Sequence, residues 1–164
     1  CRDKNPFFYL AYTILSAFTN ITEDEWIYYL KRRKEQGVNV LQINTMPQWD
    51  RCISDIGLYP FATADGHRFD FTKWNEAYYE HAVRMCELAE EEGFQLALVV
   101  LWLNYVPGTW GSKVTDCNVM PKEFVKTYTE KIVHVFDRFE PIRRKQCPII
   151  GMHWMFYVKK VRIH

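Results

Sequence analysis

Two predicted helices in this chain end in the same way, and each ending is followed at once by an apolar run. Residues 35–37 (Glu-Gln-Gly) precede the run 38–43, and residues 91–93 (Glu-Glu-Gly) precede the run 94–101. Glycine permits the positive φ with which many helices end. Uniformly apolar strands joined by helices are typical of a parallel sheet that is covered on both faces. The repeat therefore predicts an α/β protein with parallel strands.

The other segments continue this alternation. A capping box, Thr22 with Glu25 three residues later, begins the first helix. Apolar spacing and turn residues predict, in chain order, a strand at Phe7–Ala11, a helix from Thr22 to Gly37, a strand at Val38–Ile43, a helix at Trp74–Glu92, a strand at Phe94–Leu101, a helix from Pro121 to about Phe139, and a strand beginning at Pro148. The predicted unit is thus a strand followed by a helix.

Loop lengths favour a barrel over an open sheet. The strand-to-helix loops, about 44–73 and 103–120, are long, whereas the helix-to-strand connections are minimal. Long loops after the strands are typical of a (β/α) barrel, whose functional site lies at the carboxyl ends of its strands. A complete barrel needs about 250 residues, and this chain has 164. We therefore predict a partial TIM (β/α) barrel of about three to four βα units with parallel strands.

Charge divides the chain into two parts. The formal net charge is +1, which argues against a dedicated nucleic-acid-binding protein. Residues 141–164 contain no Asp or Glu but six basic residues: Arg143, Arg144, Lys145, Lys159, Lys160 and Arg162. We expect one domain over 1–164. Its divergent basic end, 141–164, is either a tail for an anionic partner or the product of truncation or a frameshift.

Cysteine and motif content predict neither a disulfide framework nor a metal or cofactor site. The five cysteines show no CxxC spacing and the five histidines are scattered. We therefore expect reduced thiols, a cytoplasmic location and a buried Cys86. Nucleotide-binding and HExxH motifs are absent, and no apolar run is long enough to suggest membrane association.

Polar and aromatic side chains follow the predicted strands, where a barrel has its site. Amides and carboxylates can bind sugar hydroxyls, and aromatic rings can stack on sugar faces. The candidate carbohydrate-binding residues are Tyr12, Asn44, Gln48, Trp49, Asp50, Trp102, Asn104 and Trp110. The alternative interpretation is structural, with Asn and Asp capping turns and the aromatic residues closing the top of the core. We expect His67 to be a turn residue.

Four segments resemble the apiosidase-like glycoside hydrolases, a bacterial (β/α)8 barrel family. They are residues 5–11 (NPFFYLA), 37–42 (GVNVLQ), 75–81 (NEAYYEH) and 92–93 (EG). The similarity extends over about residues 5–140 and corresponds to the first half of the family's barrel. It implies hydrolysis of plant-polysaccharide side-chain sugars by two carboxylates, one of which follows the fourth strand in a Gly-Asp context.

The sequence departs from that family pattern at two places. Tyr12-Thr13 stands where the family has Asp-Thr, and residues 148–154 (PIIGMHW) stand where Gly-Asp is expected. No Asp or Glu follows Glu140. We therefore expect this chain to lack the catalytic carboxylates and to be inactive by itself.

Three functions remain open from the sequence. The first is a glycoside hydrolase-related domain for plant-type polysaccharide side chains. The alternatives are a non-catalytic carbohydrate-binding module and a small flavodoxin-like α/β interaction domain. The expected partner is carbohydrate, and self-association is expected because an incomplete barrel leaves two sheet edges unpaired.

Overall fold

The computed structural model describes residues 8–48 and 52–139. Its elements, in chain order, are β1 (Ala11–Ile14), α1 (Ala17–Asn20), α2 (Glu23–Glu35), β2 (Val40–Asn44), β3 (Phe61–Thr63), β4 (Phe69–Trp74), α3 (Glu76–Glu91), β5 (Gln95–Val99), a 3-10 turn (Leu103–Tyr105), α4 (Gly111–Val114) and α5 (Lys122–Phe136). The predicted fourth strand at Pro148 and the basic end 141–164 lie outside the described residues.

Three strands form a parallel sheet in the order β1-β2-β5. In its register Ile14 lies opposite Ile43, and Asn44 lies opposite Val99. Helices follow each of these strands, and α3 and α5 pack together with the sheet in one core. The predicted parallel α/β arrangement is confirmed. It places the residues after β1, β2 and β5 along one edge of the sheet, which we call the rim.

Local sequence signals fix the helix ends as predicted. Thr22 Oγ1 accepts a hydrogen bond from the Glu25 backbone N–H, and the Glu25 carboxylate accepts one from the Thr22 backbone N–H. The bond from the Thr22 backbone lowers the pKa of Glu25. Gly37 and Gly93 have φ of 79° and 85° after α2 and α3, a conformation that other residues adopt at a cost.

The first strand begins later than predicted. Residues 8–10 precede β1, which starts at Ala11, and Phe8 is 78% exposed. The Asn39 side chain hydrogen-bonds Phe8 O and Leu10 N. These residues are therefore held by the side chain of Asn39, which lies just before the central strand β2. Apolar spacing alone does not reveal such a contact.

An antiparallel hairpin, β3–β4, lies inside the loop between β2 and α3. It forms a separate two-stranded sheet, so the parallel sheet is uninterrupted. Residues 44–73 were expected to form one long strand-to-helix loop, and this hairpin was not predicted. The alternation of Phe69 and Phe71 with polar residues, preceded by Asp65-Gly66, is a hairpin signal.

The expectation that the thiols are reduced was also wrong in the described part of the chain. Cys52 and Cys117 form a disulfide across 65 residues. This disulfide removes the observation on which the cytoplasmic expectation rested. Cys86 is free and fully buried on α3, as predicted, and burial raises the pKa of its thiol.

Within residues 8–48 and 52–139, none of the helices combines the length and apolar character that crossing a bilayer requires.

Candidate functional site

The end of β2 supplies the best-defined part of the rim. Asn44 is the last residue of this strand and is 2% exposed. The next residue, Thr45, donates its backbone N–H to Val99 O at 3.0 Å, which continues the parallel pairing by one step. The chain therefore leaves the sheet in a fixed direction immediately after Asn44.

Buried hydroxyl groups hold the segment 45–47 in place. The Thr45 hydroxyl lies 2.7 Å from Val100 O and 2.7 Å from the Tyr128 hydroxyl. Tyr78 donates to Thr45 O at 3.0 Å, and Tyr105 donates to Pro47 O at 2.9 Å. Helices α3 and α5 and the 3-10 turn each thus contribute one tyrosine to this segment.

The same three tyrosines are kept neutral by their surroundings. Burial raises the pKa of Tyr78, Tyr105 and Tyr128. For Tyr128, the hydrogen bond with Thr45 offsets part of that rise. A phenol that stays protonated in a buried position donates a hydrogen bond and supplies no base. These tyrosines therefore position the rim.

The amide of Asn44 has no hydrogen-bond partner among the described residues. Both Nδ2 and Oδ1 are buried and unpartnered. The side-chain Oε1 of Gln48 is also buried without a partner, while the Gln48 backbone N–H donates to Ser16 Oγ at 3.2 Å. That bond joins the segment after β2 to the segment after β1. Since buried amides are nearly always hydrogen-bonded, two of them in one rim segment require an explanation.

Two further polar groups follow β5, the neighbouring strand. Asn104 is fully buried in the 3-10 turn, and neither of its amide atoms makes a hydrogen bond of good geometry with a described residue. The indole Nε1 of Trp102 is buried and unpartnered as well. The bond between Tyr105 and Pro47 joins this turn to the segment after β2. Asn44, Gln48, Trp102 and Asn104 therefore belong to adjoining parts of the rim.

Of the other sequence-predicted residues, the two that the structure describes do not join this group. Tyr12 lies inside β1, and the Arg33 guanidinium of α2 lies 3.8 Å from the centre of its ring, so its side chain packs against a helix. Trp110 is 61% exposed, at the start of α4. Trp49 and Asp50 lie outside the described residues.

Sequence reasoning missed the groups that connect the loops. The Asn118 side chain accepts from Phe69 N at 2.8 Å and donates to Phe69 O at 3.0 Å, which fixes the hairpin to the loop after β5. The Cys52–Cys117 disulfide joins the same two loops. One cysteine in each long loop was the available signal, but nothing in the spacing showed that they would meet.

The described rim is rich in neutral hydrogen-bonding groups. Its buried polar groups are amides, hydroxyls and an indole, and none of the buried polar residues in 8–48 and 52–139 is Asp or Glu. Asp55, the described carboxylate nearest in sequence to these rim residues, is exposed. Such donors and acceptors suit a neutral, hydroxyl-rich ligand.

The parallel sheet and its helices correspond to part of a (β/α) barrel, a fold that glycoside hydrolases use. Solved structures of that class superpose on the chain. A protein titled "Glycoside hydrolase" gives a TM-score of 0.59 at 22% identity and covers 82% of this chain and 28% of its own. A glycoside hydrolase family 5 protein from Bacteroides vulgatus ATCC 8482 gives 0.57 at 21%, covering 82% and 27%. A putative glycoside hydrolase from the same organism gives 0.54 at 23%, covering 77% and 25%.

At these identities the structural likeness shows the fold alone. The family model "Apiosidase-like, catalytic domain" matches residues 1–143, and the chain belongs to this family. The expected resemblance is thus confirmed, and the flavodoxin-like alternative is excluded. The chain spans only about a quarter of each solved structure's length. No functionally curated protein shows a significant match.

Proposed function

We propose that the rim of this glycoside hydrolase-like chain binds a sugar through Asn44, Gln48, Trp102 and Asn104. The observation that carries the proposal is the Asn44 amide, which is 2% exposed with both polar atoms unpartnered among the described residues. A buried polar group without a partner costs about 1–3 kcal/mol. Vicinal sugar hydroxyls both donate and accept, so a bound sugar can satisfy both amide atoms at once.

The proposed substrate class is the side-chain sugars of plant-type polysaccharides. This proposal rests on membership of the apiosidase-like family and on the neutral, amide-rich character of the rim. A glycosidase of the usual kind needs two carboxylates on either side of the scissile bond. The buried polar groups of the described rim include no carboxylate. We therefore propose that this chain binds such sugars without hydrolysing them, in the manner of a carbohydrate-binding module.

Calorimetric titration of the chain with pectic oligosaccharides tests the binding. Wild type should bind, whereas Asn44→Leu should weaken binding at least about tenfold, the equivalent of one lost hydrogen-bond pair. Tyr28→Ala serves as a control because Tyr28 is an exposed aromatic residue on α2, and it should bind like wild type.

A reducing-sugar assay on the same samples distinguishes binding from hydrolysis. We expect no release of sugar above the buffer blank. Release that increases with enzyme concentration would show that a competent carboxylate pair exists. Unchanged affinity in Asn44→Leu would remove Asn44 from the site.

A further inference from the structure

Three side chains with metal-binding atoms meet at the junction of the two long loops. One ring nitrogen of His67 and the Sγ atoms of Cys52 and Cys117 all lie within 4.8 Å of one another. Cys52 belongs to the loop after β2, His67 to the turn of the β3–β4 hairpin, and Cys117 to the loop after β5. Both cysteines are buried and His67 is half-buried. The three residues therefore come together only in the folded chain.

The backbone around His67 is held from two sides. Its backbone N–H donates to Asp65 Oδ1 at 2.9 Å, and its carbonyl accepts from Asn118 N at 3.3 Å. In the side chain, the ring nitrogen Nδ1 is buried and has no partner among the described residues. A buried ring nitrogen without a partner beside two cysteines is the second observation that points to a ligand.

We propose that, when the disulfide is reduced, Cys52, Cys117 and His67 bind a thiophilic divalent cation of the Zn²⁺ type. Two thiolates and one imidazole are a donor set that zinc prefers, with the fourth tetrahedral position left for water. Two thiolates also neutralise the charge of a divalent cation, which lowers the cost of holding it in a largely buried place. None of the four proposed sugar-binding residues is a ligand of this site, although Cys52 Sγ lies 3.5 Å from Gln48 O and the two sites therefore adjoin.

The metal-bound and disulfide states exclude each other because both use the same two sulfurs. Oxidation by a small-molecule disulfide proceeds by two exchanges. One cysteine thiolate attacks that disulfide, forms a mixed disulfide and expels one thiolate. The other cysteine thiolate then attacks the mixed disulfide, closes Cys52–Cys117 and expels the second thiolate. The small disulfide gains the two electrons that the cysteines lose, and the cation is released.

Cobalt titration of the reduced full chain tests the proposal. The chain is reduced with a phosphine, desalted without oxygen and titrated with Co²⁺, whose bonds to thiolates give a charge-transfer band in the near ultraviolet. We expect this band to saturate at one equivalent and to disappear on addition of Zn²⁺. The oxidised chain should give no band.

Matched variants identify the ligands. Cys52→Ala and Cys117→Ala should lose the band, and His67→Gln should weaken Co²⁺ binding about tenfold or more. Cys86→Ala should retain the band, because Cys86 is free and buried on α3. Absence of the band in the reduced wild type, or its persistence in Cys52→Ala and Cys117→Ala, would overturn the proposal. Should a cysteine variant fail to fold, the comparisons of oxidised with reduced wild type and of wild type with His67→Gln still decide the question.

Discussion

The hydroxyl groups of Thr45 and Tyr128 lie 2.7 Å apart in the core, although 83 residues separate them in the sequence. Thr45 follows β2 and Tyr128 lies in α5, so this contact joins the rim to a helix late in the described chain. Thr45 also contacts Val100 O at 2.7 Å. A hydroxyl group has a single proton, so Thr45 donates to the carbonyl and accepts from Tyr128. The direction in which the chain leaves β2 thus depends on both residues.

Tyr128→Phe should lower the free energy of unfolding by about 1 kcal/mol, because it removes one buried hydrogen bond. Thr45→Val should cost more, about 1–3 kcal/mol, because it leaves the Tyr128 hydroxyl buried without its partner. Urea denaturation measures both. Tyr28→Phe, at an exposed position on α2, is the control and should change nothing. Equal stability of wild type and Thr45→Val would contradict the assigned bonding.

Breaking the disulfide should loosen the two long loops. The double variant Cys52→Ala/Cys117→Ala should lose about 2–4 kcal/mol of stability, the usual effect of a cross-link that closes a long loop. Amide hydrogen exchange should increase in the hairpin 61–74 and around Asn118, with less change in β2 and β5. Mass spectrometry of a non-reduced digest should recover the peptide that links Cys52 to Cys117. If these loops exchange at the same rates in the variant as in wild type, the cross-link does not hold them.

Replacing Asn44 with Leu should stabilise the unliganded chain. The two residues are of similar size, and the change removes a buried amide that has no partner among the described residues. We expect a gain of about 1 kcal/mol in the free energy of unfolding, together with the loss of sugar affinity described above. Thermal or urea denaturation measures the gain. A marked loss of stability would mean that the amide has a structural role.

Stability should fall between pH 7.5 and pH 5 partly through His81. Burial lowers the pKa of His81, although the bond with the Ile21 backbone and the charge of Glu23 oppose this. The folded chain therefore takes up this proton less readily than the unfolded chain. At a pH above the pKa of His81 in the unfolded chain, His81 does not reduce the free energy of unfolding. As pH falls through that pKa, the unfolded chain binds the proton first, and the free energy of unfolding declines. In His81→Gln, the free energy of unfolding should depend less on pH in this range. Ordinary carboxyl groups titrate at lower pH, so they do not account for the difference. A profile as steep as that of wild type would exclude His81 as the cause.

The exposed residues before β1 should promote self-association. Phe8 is 78% exposed, Tyr9 and Leu10 are also exposed just before β1, and Tyr12 is exposed within β1, an edge strand of the described sheet. Unpaired edges with apolar side chains favour pairing with another chain. Light scattering should show oligomers that are reduced in Phe8→Lys but not in Tyr28→Lys. A monodisperse wild-type monomer would contradict the prediction.

Local signals in the sequence were sufficient to predict the main helices and the parallel strands between them. The capping box at Thr22, the glycines at 37 and 93, and the apolar faces of α3 and α5 predicted the parallel unit, because each signal acts within a few residues. Asn44, Gln48, Trp102 and Asn104 were selected because they follow strands, and the structure places them in adjoining parts of the rim. Their role in binding stays a prediction.

The features that were missed depend on contacts between distant residues. Cysteine spacing does not show which cysteines meet, so the Cys52–Cys117 disulfide could not be predicted from it. Tyr12 was expected near the rim because β1 was placed too early. Its ring instead packs on Arg33. The hairpin was overlooked although its turn signal, Asp65-Gly66, was present.

A crystal structure of the chain soaked with a pectic oligosaccharide tests the central claim most directly. We predict sugar hydroxyl oxygens within hydrogen-bond distance of Asn44 Nδ2 and Oδ1, with Gln48 and Trp102 contacting the same residue of the oligosaccharide. An oligosaccharide bound away from β2 and β5, or an Asn44 amide bonded to the protein in its presence, would contradict the account.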